Sequence, residues 1–188
     1  GSSLTFTYDP ANPCPTVGGA NLEIGGLKDG PCDQREVSSR PDVLKFATDA
    51  LTEPVEITGQ VKVKLYVSSD APDTDFTAKL IDIYPDGRET LMLDNIQRVK
   101  FRKGFEKAEL LPVGEVGELT IDLWSISLIV NTGHKIGVQI SSSNYPRFEK
   151  NPNSGDDFPT DENLRVAKNT VHMDKTHPSA ILLPIRPK

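Results

Sequence analysis

Between Val55 and Val67 apolar and polar side chains alternate strictly. Val55, Ile57, Val61, Val63, Leu65 and Val67 fall on one side, and Glu56, Thr58, Gln60, Lys62, Lys64 and Tyr66 fall between them. A period of two sends successive side chains to opposite faces of a pleated strand, so this run predicts a half-buried antiparallel strand. Gly59 interrupts it and predicts a bend or bulge there. The same alternation returns in Leu119, Ile121 and Leu123 and in Ile136, Val138 and Ile140. Further strands are expected at 4–8, 43–47, 75–84, 89–93, 96–102 and 180–185.

Tyr84-Pro85-Asp86-Gly87 lies between two of these runs. Proline sets one backbone angle of a tight turn and glycine supplies the positive one, which predicts a hairpin. No window of about a dozen residues sustains helical periodicity with a cap at each end, so little helix is expected. Many short strands joined by Pro-, Gly- and Asp-rich connections suit an all-β, jelly-roll β-sandwich. The chain has 188 residues, a length that one hydrophobic core can serve. A single domain over 4–188 is expected, with residues 1–3 as a cloning remnant.

Lys and Arg number 21 against 27 Asp and Glu, for a net charge of -6. The basic residues are scattered, so the electrostatic footprint of a nucleic-acid binder is missing. The longest apolar runs, Ile126 to Val130 and Ala180 to Pro184, are far shorter than the roughly 20 residues a bilayer span needs. Neither nucleic acid nor a membrane is expected as a partner. The start of the sequence shows no basic, apolar and small-residue succession of a signal peptide.

Cys14 and Cys32 are the two cysteines. From the residues alone two alternatives stay open: a bridge that closes a short loop, or two unlinked buried thiols. Three segments do not read as strands: Asp9 to Arg40, Ser142 to Glu162 and Leu164 to Pro178. Ordered connections of that length are uncommon unless they serve a purpose, so function is expected on them.

A serine hydrolase of the α/β type would show Gly-x-Ser-x-Gly at a strand-to-helix elbow, and this sequence has none. No catalytic residue is therefore assigned to this chain. His172 and His177, with Asp174 between them, match no zinc spacing and read as structural, as does His134 at the start of a strand. Asp70, Asp73 and Asp75 could offer oxygen ligands to calcium. Short Asp side chains more often accept backbone hydrogen bonds in turns, and no metal and no cofactor is expected. Trp124 reads as the cap of a core or an interface, and Tyr145, before Pro146, as a residue that fixes a loop. Few aromatics are left for stacking on sugar rings.

Several strings occur in a fixed order: Tyr8-Asp9-Pro10-Ala11-Asn12-Pro13 with Gly18-Gly19, Gly30-Pro31 with Asp33-Gln34-Arg35, and Arg40-Pro41-Asp42-Val43-Leu44. Asp73-Thr74-Asp75-Phe76-Thr77-Ala78-Lys79-Leu80, Pro85-Asp86-Gly87-Arg88 and Gly133-His134-Lys135-Ile136 follow, then Ser141-Ser142-Ser143-Asn144-Tyr145-Pro146-Arg147 and His177-Pro178-Ser179. Together they resemble the C-terminal domain of the X-Pro dipeptidyl peptidase family of serine hydrolases, which also takes in cocaine esterase and the α-amino acid ester hydrolases.

The resemblance implies a jelly roll of the galactose-binding-like kind that follows an α/β-hydrolase domain and its cap, with those two domains as partners and a small ester or peptide as the parent's substrate. The family's catalytic triad belongs to the earlier domain. The segment between Gly19 and Gly30 aligns with the family loop that approaches the active-site pocket, which makes Leu22, Glu23 and Ile24 the candidates for lining it. The joint presence of Cys14 and Cys32, where the family more often has small or aliphatic residues, implies a disulfide and fits the export seen in parts of the family. A homo-oligomer is a further partner option. The competing expectation is a free-standing carbohydrate- or protein-binding module.

Overall fold

The computed structural model describes residues 2–22, 24–156 and 160–187. Nine strands dominate it: β1 Ser3–Tyr8, β2 Leu44–Ala47, β3 Val55–Ser69, β4 Asp75–Ile83, β5 Glu89–Arg98, β6 Gly117–Val130, β7 Lys135–Ser141, β8 Ala167–His172 and β9 Ala180–Leu182. They form two antiparallel sheets, one ordered β1-β8-β3-β6 with β9 also on β3, the other β2-β7-β4-β5. The all-β, jelly-roll-like sandwich expected from the alternation is the observed architecture. Among the described residues helix is limited to α1 (Arg35–Ser38) and three single 3-10 turns.

The alternation does what its period dictates. Ile57, Val61, Val63, Leu65 and Val67 of β3 face Phe76, Ala78 and Leu80 of β4 and Val138 and Ile140 of β7 in one core, with Leu119, Ile121 and Leu123 of β6 alongside. The hairpin between β4 and β5 turns at Tyr84 to Gly87, where the Gly87 amide donates to the Tyr84 carbonyl at 2.9 Å and Gly87 has φ 85°.

Three details differ from the sequence expectation. The runs at 89–93 and 96–102 are one strand, β5, ending in a 3-10 turn at Val99–Phe101. The irregularity near Gly59 is carried by the partner strand: Gln60 pairs with Ser125 and Lys62 with Asp122, so two residues of β6 stand opposite one of β3. Part of Leu164 to Pro178 is the strand β8, whose inward positions are Ala167, Asn169 and Val171. An asparagine inside hides the apolar period. Its buried Nδ2 instead donates to Thr74 Oγ1 at 2.9 Å and Ser142 Oγ at 2.7 Å.

β4 and β7 are buried on both faces. Their outer face carries Thr77, Lys79, Ile81, Gln139 and Ser141, all buried, and the segment leading from β1 to β2 lies across it. Cys14, Val37 and Val43 form a second small apolar cluster there, with Val17 packed against it. This segment is a third layer on the sandwich and the frame for the site described next.

Candidate functional site

The covering segment is held at two stems. The first, Cys14 to Val17, rides on the segment after β7: the Thr16 amide donates to the Tyr145 carbonyl at 2.7 Å, the Tyr145 amide to the Cys14 carbonyl at 2.9 Å, and the Cys14 amide to Ser143 Oγ at 2.8 Å. The second, Cys32 to Gln34, extends the edge of β5, with the Gln34 amide on the Glu89 carbonyl at 2.7 Å and the Leu91 amide on the Cys32 carbonyl at 3.1 Å. Between the stems Gly19 and Gly30 exchange both backbone hydrogen bonds, at 2.8 and 3.0 Å, and close a neck. Residues 20–22 and 24–29 project beyond it.

Glycine is required at this neck for space. A β-carbon on Gly18 would stand 2.5 Å from the Gly30 carbonyl oxygen and 2.8 Å from Cys32 Cβ, and Gly18 has φ +70°. Asn21 spans the loop above, donating from Nδ2 to the carbonyls of Gly18 and Lys28, both at 3.1 Å.

Beside the neck a groove of about 510 Å³ runs between the edges of β5 and β6. Gly19, Gly30 and Pro31 border it on the loop side, Trp124 on the other, and Asp94 and Arg147 line it between them. The carboxylate of Asp94 takes the Arg147 guanidinium and, at 2.9 Å, the Asn144 side-chain amide. The Asp94 side chain is almost wholly buried, so the pair is structural scaffolding under the neck, neutral as a unit.

Trp124 sits at the bulge of β6 with φ 72°, a conformation that bulky residues rarely adopt. Asp122 holds it there: one carboxylate oxygen accepts the Trp124 amide at 2.8 Å, the other the Gln60 side chain at 2.6 Å. Trp124 is 72% exposed. It caps no core of this domain, which removes the first of the two roles expected for it.

Leu22 stands on the projecting loop at 85% exposure. Glu23 and the side chain of Ile24 lie outside the described residues. The expected disulfide is not formed, and Cys14 and Cys32 are free thiols. Cys14 is buried among Val37 and Val43, where loss of solvent pushes its thiol pKa up. Cys32 is half-buried at the second stem, its Sγ 3.5 Å from the Asp29 carbonyl oxygen.

The remaining candidates have local structural partners. His134 Nδ1 meets Asp82 Oδ1 at 2.8 Å and ties β7 to β4. Asp73 accepts the Lys100 amide at 3.0 Å, and Asp75 holds Arg98 through both oxygens at 2.9 and 3.1 Å. Ser68 Oγ lies 2.9 Å from His172 Nε2, a nucleophile-to-base contact in form. The nearby acid, Asp174, is bound instead to His177 Nδ1 at 3.3 Å, and the two imidazoles are 5.8 Å apart. The acid that a triad places on the base is here on the other ring. The cluster joins β3, β8 and the connection to β9.

Gln34, Lys79, Asp94 and Arg147 matter to the neck, and the sequence reading did not single them out as site residues. Gln34, Lys79 and Arg147 appeared only as members of longer strings and Asp94 in none, and the one available signal was a lysine inside a strand with both faces buried.

The family model for the X-Pro dipeptidyl-peptidase C-terminal non-catalytic domain matches residues 3–182. Cocaine esterase of Rhodococcus sp. (strain MB1 Bresler) is 45% identical over 186 residues, which is 98% of this chain and 32% of that protein. Among solved structures, an aminopeptidase from a marine sediment Thaumarchaeota archaeon superposes with a TM-score of 0.91 at 30% identity, covering 99% of this chain and 33% of that one. A selenomethionine-labelled α-amino acid ester hydrolase gives the same values. The chain spans about a third of the length of these relatives. With the family model matched over residues 3–182 and the sandwich superposing on solved structures at a TM-score of 0.91, the chain belongs to the X-Pro dipeptidyl-peptidase C-terminal non-catalytic domain family.

Proposed function

We propose that this domain serves a serine hydrolase acting on ester or amide bonds, that it packs on the α/β-hydrolase domain and its cap, and that Leu22, Glu23 and Ile24 form one wall of the substrate pocket. The observation that carries this reading is the 45% identity to cocaine esterase across a third of that enzyme. In the parent, a serine attacks the substrate carbonyl with histidine as base, and water then hydrolyses the acyl-enzyme. The part played by this chain is to exclude water from one side of the pocket and to present side chains to the substrate. The exposed Leu22 supplies apolar contact to the acyl or leaving group, and Glu23 meets a substrate ammonium.

Glu23→Gln in the full-length protein tests the last role. The specificity constant for substrates with a charged amine should fall several-fold more than that for neutral esters; an equal fall for both removes Glu23 from substrate recognition.

A second reading, a free-standing glycan-binding module, draws on the exposed Trp124 at the rim of a groove of about 510 Å³. Calorimetric titration with simple sugars separates the two, since the hydrolase reading expects no heat of binding.

A further inference from the structure

Glycines at a neck permit its shape without dictating it, because glycine gains nothing from one backbone conformation over another. The direction in which the loop leaves the domain at Gly19 and Gly30 therefore has to be fixed by something else. Gln34 is fully buried, and its side-chain Nε2 donates to the carbonyl of Val17 at 2.7 Å and to that of Cys32 at 3.2 Å. One amide group thus holds both stems. The backbone of Gln34 is anchored separately, its amide on the Glu89 carbonyl at 2.7 Å and its carbonyl on the Ser38 amide at 2.8 Å.

A glutamine amide could be turned over, which would set its oxygen against two carbonyl oxygens. Lys79 removes that alternative. From the outer face of β4 its Nζ donates to Gln34 Oε1 at 3.0 Å, so only one orientation of the amide has every group paired. Lys79 is 3% exposed, and burial drives its pKa down. A buried lysine is a costly choice where a leucine or methionine would pack as well. Its cost has a purpose if the amide it orients sets something that matters.

We propose that Gln34 and Lys79 are positioning residues: together they clamp the Val17 and Cys32 stems and so fix the direction in which the loop leaves at Gly19 and Gly30. The link to catalysis rests on the pocket-wall reading above. The clamp itself is a claim about the neck.

The experiment uses the full-length protein with Gln34→Ala, Lys79→Met and the double change Gln34→Leu with Lys79→Met. The double variant removes both side-chain donors, so that no buried charge is stranded and only the Val17 and Cys32 carbonyls lose this partner, and protection of β3 and β6 then separates positioning from packing. Two readouts are taken: amide hydrogen exchange over 17–32 against exchange over β3 and β6, and kcat and KM for a p-nitrophenyl ester or an X-Pro p-nitroanilide. In all three variants exchange over 17–32 should rise at least tenfold, with β3 and β6 still protected in the double variant, and KM should rise at least fivefold with kcat within twofold.

Unchanged exchange over 17–32 overturns the clamp. Loss of protection in β3 and β6 of the double variant also overturns it, because the pair would then belong to the general core. A loosened neck with unchanged KM supports the clamp and refutes the pocket-wall reading, so the two failures are distinct.

Discussion

A β-carbon on Gly19 would stand 2.8 Å from Arg147 Nη1 and 2.9 Å from Asp94 Oδ1. The neck of the projecting loop thus rests on a buried ion pair with no room for a methyl group between them. Gly19→Ala must either lift the loop or move the guanidinium, and Gly19 also has φ +101°. Overpacking and backbone strain together should lower stability by about 2–3 kcal/mol. Gly26→Ala, also at positive φ but with nothing within 4 Å, should cost about 1 kcal/mol from the backbone alone. Urea denaturation of the two variants checks the difference.

Trp124 tests the strain at the bulge of β6. Its exposed side chain contributes little burial, while its backbone angle suits glycine or asparagine. Trp124→Gly should leave stability unchanged or raise it by up to about 1 kcal/mol, whereas the β-branched Trp124→Val should lower it by about 1–2 kcal/mol. Thermal or urea unfolding of the isolated chain reads both.

The two thiols should differ in reactivity. Cys14 is buried and its pKa is raised by desolvation, whereas Cys32 is partly open to solvent. With a maleimide at neutral pH, Cys32 should be labelled at least ten times faster than Cys14, because the thiolate is the reacting species and access limits it. Two titratable thiols in denaturant without reductant agree with the structure; none would restore the disulfide that the resemblance implied.

Asp73 gives a pH signature. Burial, and next the charge of Asp75, raises its pKa above the usual carboxylate value. A group that binds its proton more tightly in the folded state contributes stability fully below its unfolded pKa, and that contribution is lost as pH rises through the folded one. Urea stability attributable to Asp73 should therefore fall between the ordinary carboxylate range and the pH just above it. Asp73→Asn, which keeps an oxygen for the Lys100 amide, should flatten that slope.

The sandwich was legible because β3, β6 and β7 alternate cleanly, so their apolar faces announce the core without knowledge of partners. β8 escaped because Asn169 takes an interior position where its amide is satisfied by Thr74 and Ser142, contacts no local pattern reveals. The segment carrying Leu22 read as a long ordered connection from its residues, but Leu22 itself was singled out only through resemblance. The clamp beneath it was not legible, since Gln34 and Lys79 lie on different elements and meet only when the covering segment folds over β4. Chemistry that depends on such long-range meetings leaves no period in the sequence.

The pairing of β1 with β8 bears on how the molecule is made. Ser3 is opposite His172, and Ser2 Oγ donates to the Met173 carbonyl across 171 positions. Within this domain β1 must wait until β8 has been made before one of its edges is paired, and such distant pairing is slow to form. During that interval its open hydrogen-bonding groups are a standing invitation to other nascent chains. High expression or rapid translation should therefore expose this domain to aggregation before any defect in the finished fold could.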